Sequence, residues 1–208
     1  AVMAGQITPT HLFRVRLDRR MRELLRRLPR RNAETIFGAI AAEFVGEGIA
    51  VLPATAALDD HLAEDGAMGR VQPYDETAAD IDFGVSICRE IGRLDIGQTV
   101  VVKQGTVLAV EGFEGTDQAI LRGGELGHGG VTVVKLPKRG QDPRFDIPCV
   151  GLQTVKSLVA AGARALAVQA GGTLLIDKPE LVAAFDREGI ALFGVRPAGD
   201  RRTGGATG

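Results

Sequence analysis

The sequence predicts an α/β protein with a partial doubly wound (Rossmann-like) N-terminal domain, followed by a second α/β domain with a mixed sheet. Near the N-terminus, an apolar opening, a helical pattern, a short apolar run and another helical pattern follow one another, as in half of a doubly wound unit. Farther along, three apolar runs of strand length precede a further alternation of helices and strands. Apolar residues make up 45% of the 208 residues, enough for a sizeable core in one or two domains.

The first domain is predicted at residues 1–66. Its opening residues, 1–5, are typical of the end of a buried strand, and we therefore expect the first part of this domain to be absent from the chain. An amphipathic helix is predicted from apolar residues spaced by four, three and four positions. These residues are Leu17, Met21, Leu24 and Leu28. Asn32 is the expected N-cap of a second helix, which a short strand at 49–53 and a short helix at 58–64 follow.

A linker is predicted at residues 67–75, the second, catalytic domain at 76–197 and a flexible tail at 198–208, where apolar residues are too few to fold. Strands are predicted at 98–103, 107–111, 131–136, 165–169, 173–176 and 191–195. Helices are predicted at 77–91, 116–126, 154–161 and 179–188. The alternation of these elements predicts the mixed sheet of the second domain.

The charge of the chain is unevenly distributed. The net charge is −1, which argues against a general nucleic-acid binder, but residues 11–31 hold nine arginines. The most common explanation for such a helix is a solvated face. A basic amphipathic helix can also lie on an anionic membrane surface. Nucleic-acid binding is the third alternative, because the stretch has no recognition motif and few aromatic residues for stacking.

Cys88 and Cys149 form no CxxC pair, and we predict that both are reduced and buried. No apolar run approaches the roughly 18 residues of a membrane span, and no signal peptide opens the chain. These features predict a cytoplasmic protein.

The first polar segment of interest, residues 111–117, follows an apolar strand and contains three acids among glycines. Thr116 is a candidate cap for the following helix, with Asp117 in its first turn. The free backbone N–H groups of such a helix end bind phosphate. With Glu111 or Glu114 alongside, one loop can hold both a metal ion and a diphosphate. The alternative is an ordinary helix cap with solvated glutamates.

The second polar segment, residues 141–148, places Asp142, Arg144 and Asp146 between two prolines. Two acids beside an arginine suit a metal ion together with a guanidinium on phosphate oxygens. The alternative is an internal Asp–Arg pair that holds the loop. Both segments follow strands that we expect to be neighbours, and therefore we expect their carboxylates to form one site.

The sequence resembles the UDP-2,3-diacylglucosamine pyrophosphatases of the lipid A pathway, in the two-domain form that differs from the calcineurin-like phosphoesterases. The resemblance covers nearly the whole chain up to the tail, with several motifs in the same order. These are Leu94-Asp95-Ile96-Gly97-Gln98, Val100-Val101-Val102-Lys103, Ala109-Val110-Glu111, Glu114-Gly115-Thr116-Asp117 and Gln141-Asp142-Pro143-Arg144-Phe145-Asp146-Ile147-Pro148.

The resemblance implies hydrolysis of UDP-2,3-diacylglucosamine to 2,3-diacylglucosamine 1-phosphate and UMP, with Mg²⁺ (or Mn²⁺) as cofactor. We expect the catalytic residues and first metal ligands among Asp146, Asp142 and Asp117, with Glu111 and Glu114 as further metal ligands. The residues expected to bind the substrate are Thr116, Gly115, Arg122, Lys135, Gln141 and Arg144.

The expected partner is a lipid-linked UDP-sugar rather than a nucleic acid. We also expect peripheral contact with the inner membrane and a homo-oligomer. The alternative is a sensor of the same fold that binds a nucleotide sugar without turnover. Metal-dependent release of UMP separates the two hypotheses, and a steep salt dependence of binding would reveal a nucleic-acid-binding module.

Overall fold

The computed structural model describes residues 1–3, 17–29, 33–138 and 140–197. The chain divides into two compact units, one formed by Ala1–Leu58 with Gly140–Ile147 and the other by Asp59–Arg139 with Pro148–Gly208. The sequence places the domain change at residue 66, later than this structural division. The physical reason is that the segment after residue 58 already bonds to the second unit, where the N–H of Ala63 donates to the carbonyl of Thr173 at 2.9 Å.

The first unit contains the two helices that the periodicity predicts, α1 (Arg19–Arg27) and α2 (Ala33–Gly46). Asp18 caps α1, since its Oδ1 accepts from the N–H of Met21 at 2.7 Å. The predicted strand at 49–53 is reduced to an isolated parallel bridge between Val2 and Leu52. The predicted N-cap Asn32 and the predicted tail at 198–208 lie outside the described residues.

The apolar stripe of α1 is neither buried nor fully exposed. Leu17, Met21 and Leu24 line a cavity of about 530 Å³ together with side chains of α2. At the rim, the guanidinium of Arg20 lies 2.8 Å from the carboxylate of Glu43. The helix therefore packs loosely on α2, and its binding to a membrane surface stays a prediction.

The second unit is built on a mixed sheet, as predicted, and this sheet has six strands. They are β1 (Gly66–Ala67), β2 (Thr99–Lys103), β3 (Thr106–Val110), β4 (Val131–Lys135), β6 (Ala163–Gln169) and β8 (Ala191–Val195). Their order across the sheet is β1–β8–β6–β4–β2–β3. The central strands β4, β6 and β8 are parallel, whereas β1 pairs antiparallel with β8 and β2 pairs antiparallel with both β3 and β4. A separate parallel pair consists of β5 (Cys149–Val150) and β7 (Leu174–Leu175).

Helices cover both faces of the sheet. They are α3 (Asp75–Arg93), α4 (Thr116–Gly127), α5 (Leu152–Ala160) and α6 (Lys178–Arg187). Successive residues of β2 point to opposite faces, so that Val101 joins one core cluster with α4, α5 and α6, while Val100 and Val102 join another with α3. The arrangement is the three-layered packing expected of an α/β domain.

Most predicted elements of the second unit are present, but some details differ. The two-residue strands β1 and β5 were not predicted, and the predicted helix at 58–64 is a single 3-10 turn, Asp59–His61. The prediction of two buried cysteines is half wrong. Cys88 is buried, and burial raises the pKa of its thiol to about 12, whereas Cys149 is exposed because it begins a short strand outside the main sheet.

Helix α4 approaches its neighbours through glycines on more than one side. A Cβ at Gly123 would lie 2.5 Å from the side chain of Val101 on β2, and one at Gly124 would lie 2.5 Å from the Cα of Ala161. A Cβ at Gly127 would lie 2.6 Å from the side chain of Leu108. These glycines let α4 sit closer to β2 and α5 than any larger residue allows.

Within the described ranges, no helix combines the length and the apolar character that are needed to cross a membrane.

Candidate active site

The carboxyl ends of four strands, β3, β4, β6 and β8, lie along one edge of the main sheet. The expectation that β3 and β4 are neighbours is wrong, because β2 lies between them. Both are antiparallel to β2, however, so they run in the same direction and end at the same edge. We refer to this edge as the carboxyl edge. It is where binding sites of open α/β sheets usually form.

Glu111, the first residue after β3, is the central acid of the carboxyl edge. It is only 7% exposed, and its N–H donates to the carbonyl of Thr99 at 2.9 Å. Its Oε1 accepts from the hydroxyl of Thr116 at 3.1 Å, and that hydroxyl lies 3.3 Å from the hydroxyl of Thr99. The other oxygen, Oε2, is buried and finds no hydrogen-bond partner within the part of the chain that the structure describes. Because an unpaired buried carboxylate oxygen is costly, this atom is suited to a ligand.

Helix α4 begins at the same edge. The prediction that Thr116 caps this helix is wrong, because Gly115 occupies the N-cap with a positive φ of 87° and provides no side-chain cap. Thr116 is the first helical residue, and its hydroxyl donates to Glu111 instead. The N-terminal N–H groups of α4 therefore have no cap from the N-cap residue, and such groups bind anions. Asp117 lies in the first turn, as predicted.

Lys135, the last residue of β4, is a buried cation at the same edge. It is 6% exposed, and its Nζ donates to the carbonyl of Cys149 at 3.0 Å. Burial lowers the pKa of this ammonium, while the charges of Glu111, Cys149 and Asp117 oppose that shift. The positive charge of Lys135 therefore interacts with two of the predicted carboxylates, Glu111 and Asp117.

Gly97 lets a second loop reach Glu111. A Cβ at position 97 would lie 2.0 Å from the carbonyl oxygen of Glu111, which no real side chain allows. The loop between α3 and β2 therefore packs directly on the backbone of the central acid. Gly97 and Thr99 were not predicted as site residues, although Gly97 belongs to a motif that carries the family resemblance.

Glu114 and Arg122, predicted to bind metal and diphosphate respectively, bond to each other. The Arg122 guanidinium lies 2.6 Å from Glu114 Oε1 and also donates to the carbonyl of Val110 at 3.0 Å. Glu114 Oε2 accepts from the N–H of Gly112 at 2.9 Å. The Arg122 hydrogen bond lowers the pKa of Glu114. These contacts fold the loop onto α4.

The second polar segment belongs to the first unit. Arg144 donates to both oxygens of Asp142, the shortest contact being 2.6 Å, and this hydrogen bonding lowers the pKa of the Asp142 carboxyl. Asp146 accepts from the side-chain amide of Gln141 at 3.0 Å. The ring of Phe145 packs against that of Phe37 on α2, with centroids 5.7 Å apart. This geometry matches the alternative of an internal Asp–Arg pair that holds the loop.

The predicted residues therefore fall into two groups. The second unit holds Glu111, Glu114, Gly115, Thr116, Asp117, Arg122 and Lys135. The first unit holds Gln141, Asp142, Arg144 and Asp146. Among residues 1–3, 17–29, 33–138 and 140–197, no group of three or more His, Cys, Asp or Glu side chains is arranged to hold a metal ion. The single site that combines both groups stays a prediction.

Comparisons with known proteins also divide the chain near residue 60, but they place residues 140–147 in the second domain. The LpxI N-terminal domain matches residues 1–61, and the LpxI C-terminal domain matches residues 64–193. The chain is 36% identical over 177 residues to the UDP-2,3-diacylglucosamine pyrophosphatase LpxI of Caulobacter vibrioides. That alignment covers 81% of this chain and 63% of the relative.

Proposed function

The chain belongs to the LpxI family, and from this premise we propose that it hydrolyses the diphosphate of UDP-2,3-diacylglucosamine to 2,3-diacylglucosamine 1-phosphate and UMP. The observation that carries the proposal is the buried Oε2 of Glu111, which no described group satisfies, beside the N-terminus of α4 and the buried Lys135. The carboxyl edge thus combines a carboxylate, N–H groups of a helix N-terminus and a cation. These groups suit the hydrolysis of a phosphate anhydride.

In this proposal, the N-terminal N–H groups of α4 hold oxygens of one phosphoryl group, and the Lys135 ammonium carries part of the charge that develops during attack. Glu111 Oε2 accepts a proton from the attacking water. The new P–O bond forms as the bridging P–O bond breaks, and the leaving phosphate departs with the bridging oxygen. The hydroxyl of Thr116 holds the other carboxylate oxygen in place.

We further propose Mg²⁺, or Mn²⁺, as the cofactor. The carboxylate of Asp117 would hold it, since Mg²⁺ in phosphate chemistry is commonly held by one or two protein carboxylates together with phosphate oxygens. Glu111 keeps the role of proton acceptor, because Oε2 is its one oxygen without a described partner. When bound, the ion supplies charge neutralisation on the diphosphate. Glu114 is a weaker candidate because Arg122 and Gly112 already use its oxygens.

We retain Asp146 as a residue needed for turnover. Of the two acids in its loop, Asp142 is held by bidentate contacts with Arg144, whereas Asp146 accepts from the neutral amide of Gln141. A guanidinium compensates the charge of the acid that it binds, whereas a neutral amide does not, which makes Asp146 the better candidate to bind a metal or a substrate cation.

The test is UMP release from UDP-2,3-diacylglucosamine with Mg²⁺, with Mn²⁺ and with EDTA, for the wild type, Asp146→Ala and Glu125→Gln. We expect turnover that EDTA abolishes and a loss of about 10²-fold in Asp146→Ala. Glu125 is an exposed residue of α4, so Glu125→Gln serves as the control and should leave turnover unchanged. Binding of the substrate without UMP release would favour the sensor hypothesis instead.

A further inference from the structure

The loop that carries Glu111 also carries the most exposed of the large apolar side chains that the structure describes. Phe113 is 94% exposed and stands between Gly112 and Glu114. Isolated exposed apolar residues are common and need no explanation. Phe113, however, lies two residues from the buried acid of the candidate site.

Two further exposed apolar residues belong to the loop that packs on Glu111. Ile96 is 49% exposed and Leu94 is 57% exposed, and the adjoining Gly97 makes the close approach to the Glu111 carbonyl. We refer to Leu94, Ile96 and Phe113 as the apolar rim. Two separate loops that meet at one backbone contact at the carboxyl edge thus both present apolar side chains to solvent.

The loop backbone around Phe113 is held by hydrogen bonds of the two flanking residues. The N–H of Gly112 donates to the carboxylate of Glu114, and that carboxylate is paired with Arg122 at 2.6 Å. The two residues that flank Phe113 are therefore bonded to each other and to α4. A loop whose backbone is held in place before binding loses little freedom when a ligand covers it, which favours binding.

We propose that the apolar rim contacts an acyl chain of the lipid part of the substrate and that Phe113 determines the preference for acylated ligands. The inference rests on the proposed function. The rim contributes aliphatic and aromatic surface, as an acyl chain requires, whereas a nucleobase also requires hydrogen-bonding groups on its edges. Asp95, which stands between Leu94 and Ile96, does not oppose binding of an acyl chain, because its charge is paired with Lys138 at 3.0 Å.

The chain contains no tryptophan, so Phe113→Trp places a single fluorophore on the rim. We expect its emission to shift to shorter wavelength with 2,3-diacylglucosamine 1-phosphate and to stay unchanged with UMP. Leu126→Trp is the matched control, since Leu126 is 57% exposed but lies about 15 Å along α4 from its N-terminus. This control should respond to neither ligand.

Three outcomes would overturn the proposal. They are a response to UMP alone, no response to either ligand, and the same blue shift with phosphatidylglycerol vesicles that lack the ligand, which would make the rim a membrane contact. A blue shift with the lipid but no UMP release would leave the rim assignment standing and remove the proposed activity. UMP release without a shift would do the reverse.

A kinetic measurement provides a second readout. Phe113→Ala should raise the KM for UDP-2,3-diacylglucosamine about tenfold and leave kcat nearly unchanged, because the lost contact is apolar and does not involve the reacting atoms. Phe113→Leu should recover most of the KM, and Leu126→Ala should match the wild type. An unchanged KM in Phe113→Ala would contradict the proposal. Since Phe113 is exposed, these variants should fold normally.

Discussion

The two edges of the main sheet each combine a buried acid with a lysine, but their hydrogen bonding differs. At the edge opposite the candidate site, both oxygens of Asp80 accept hydrogen bonds, from the N–H groups of Gln104 and Gly105 at 2.9 and 2.8 Å. Lys103 donates to two backbone carbonyls at 2.7 and 2.9 Å. At the carboxyl edge, Glu111 Oε2 stays without a partner in the described chain.

This difference in hydrogen bonding distinguishes Asp80 from Glu111 better than burial does. Asp80 is 4% exposed and Glu111 is 7% exposed, so burial alone does not distinguish them. The Asp80 bonds secure the turn between β2 and β3. The Glu111 carboxylate instead bears a cost that a bound ligand would relieve, as is common where stability is traded for activity.

The largest effect should come from Glu111→Gln, which tests the functional edge directly. We expect UMP release to fall by about 10²–10³-fold, because the amide does not take a proton from water. The urea midpoint should stay equal or rise, since a buried charge is removed. Activity assays and urea unfolding on the same samples measure both. Loss of stability without loss of activity would assign Glu111 to the same class as Asp80.

Asp80→Ala should have the reverse profile. Two charge-assisted hydrogen bonds to the turn are lost, and we expect the free energy of unfolding to fall by about 1.5–3 kcal/mol with kcat unchanged. Urea unfolding monitored by circular dichroism measures the first quantity, and UMP release measures the second. A large drop in kcat for correctly folded Asp80→Ala would break the distinction between the two edges.

Two glycines offer a matched comparison of the same edges. In Gly97→Ala, the added methyl overlaps the Glu111 carbonyl, so we expect a stability loss of about 1–3 kcal/mol together with a reduced kcat from displacement of Glu111. Gly105→Ala has open space and only the strain of a positive φ of 69°, and it should lose about 1 kcal/mol with normal kcat. Equal kcat in both variants would mean that the 94–98 loop does not position Glu111.

The smallest effect should be the pH dependence that Lys135 contributes to stability. Burial lowers the pKa of this lysine below its usual 10.5, so the unfolded chain binds more protons than the folded one between the two pKa values. The stability of the wild type should therefore rise relative to Lys135→Met as the pH increases toward about 10.5. Urea midpoints of both proteins at several alkaline pH values give the sign. A falling difference would show that Lys135 is stabilised as an ammonium.

Local sequence patterns predicted most elements of the second unit, because strands such as β2 and β4 are continuous apolar runs and α4 begins after a glycine. The expected pairing of β3 with β4 was wrong, since no local signal places β2 between them. The pairing of Glu114 with Arg122 also depends on how the loop folds back on α4. The exposure of Cys149 depends on a two-residue strand too short to leave a pattern.

At the carboxyl edge, the residue types were predicted but their roles were not. Glu111, Thr116 and Lys135 were recognisable as polar residues at strand and helix ends. Oε1 of Glu111 bonds to Thr116, whereas Oε2 has no described partner. This difference depends on side-chain geometry at the scale of a single hydrogen bond, which a sequence pattern does not contain. Gly97 carries a signal in its motif, but its effect on Glu111 comes from a contact between distant parts of the chain.

The glycines of α4 also make the formation of this helix, including its N-terminus, depend on packing against the sheet. Each glycine in a helix interior makes the free energy of helix formation about 1 kcal/mol less favourable than alanine does, so this segment would be largely unfolded as an isolated peptide. Its helical state depends on the close contacts of Gly123, Gly124 and Gly127 with β2, β3 and the end of α5. The backbone amides of α4 should consequently exchange with solvent through the same cooperative opening as the sheet, and not by separate fraying. The anion-binding end of the helix is thereby coupled to the global folding equilibrium of its unit.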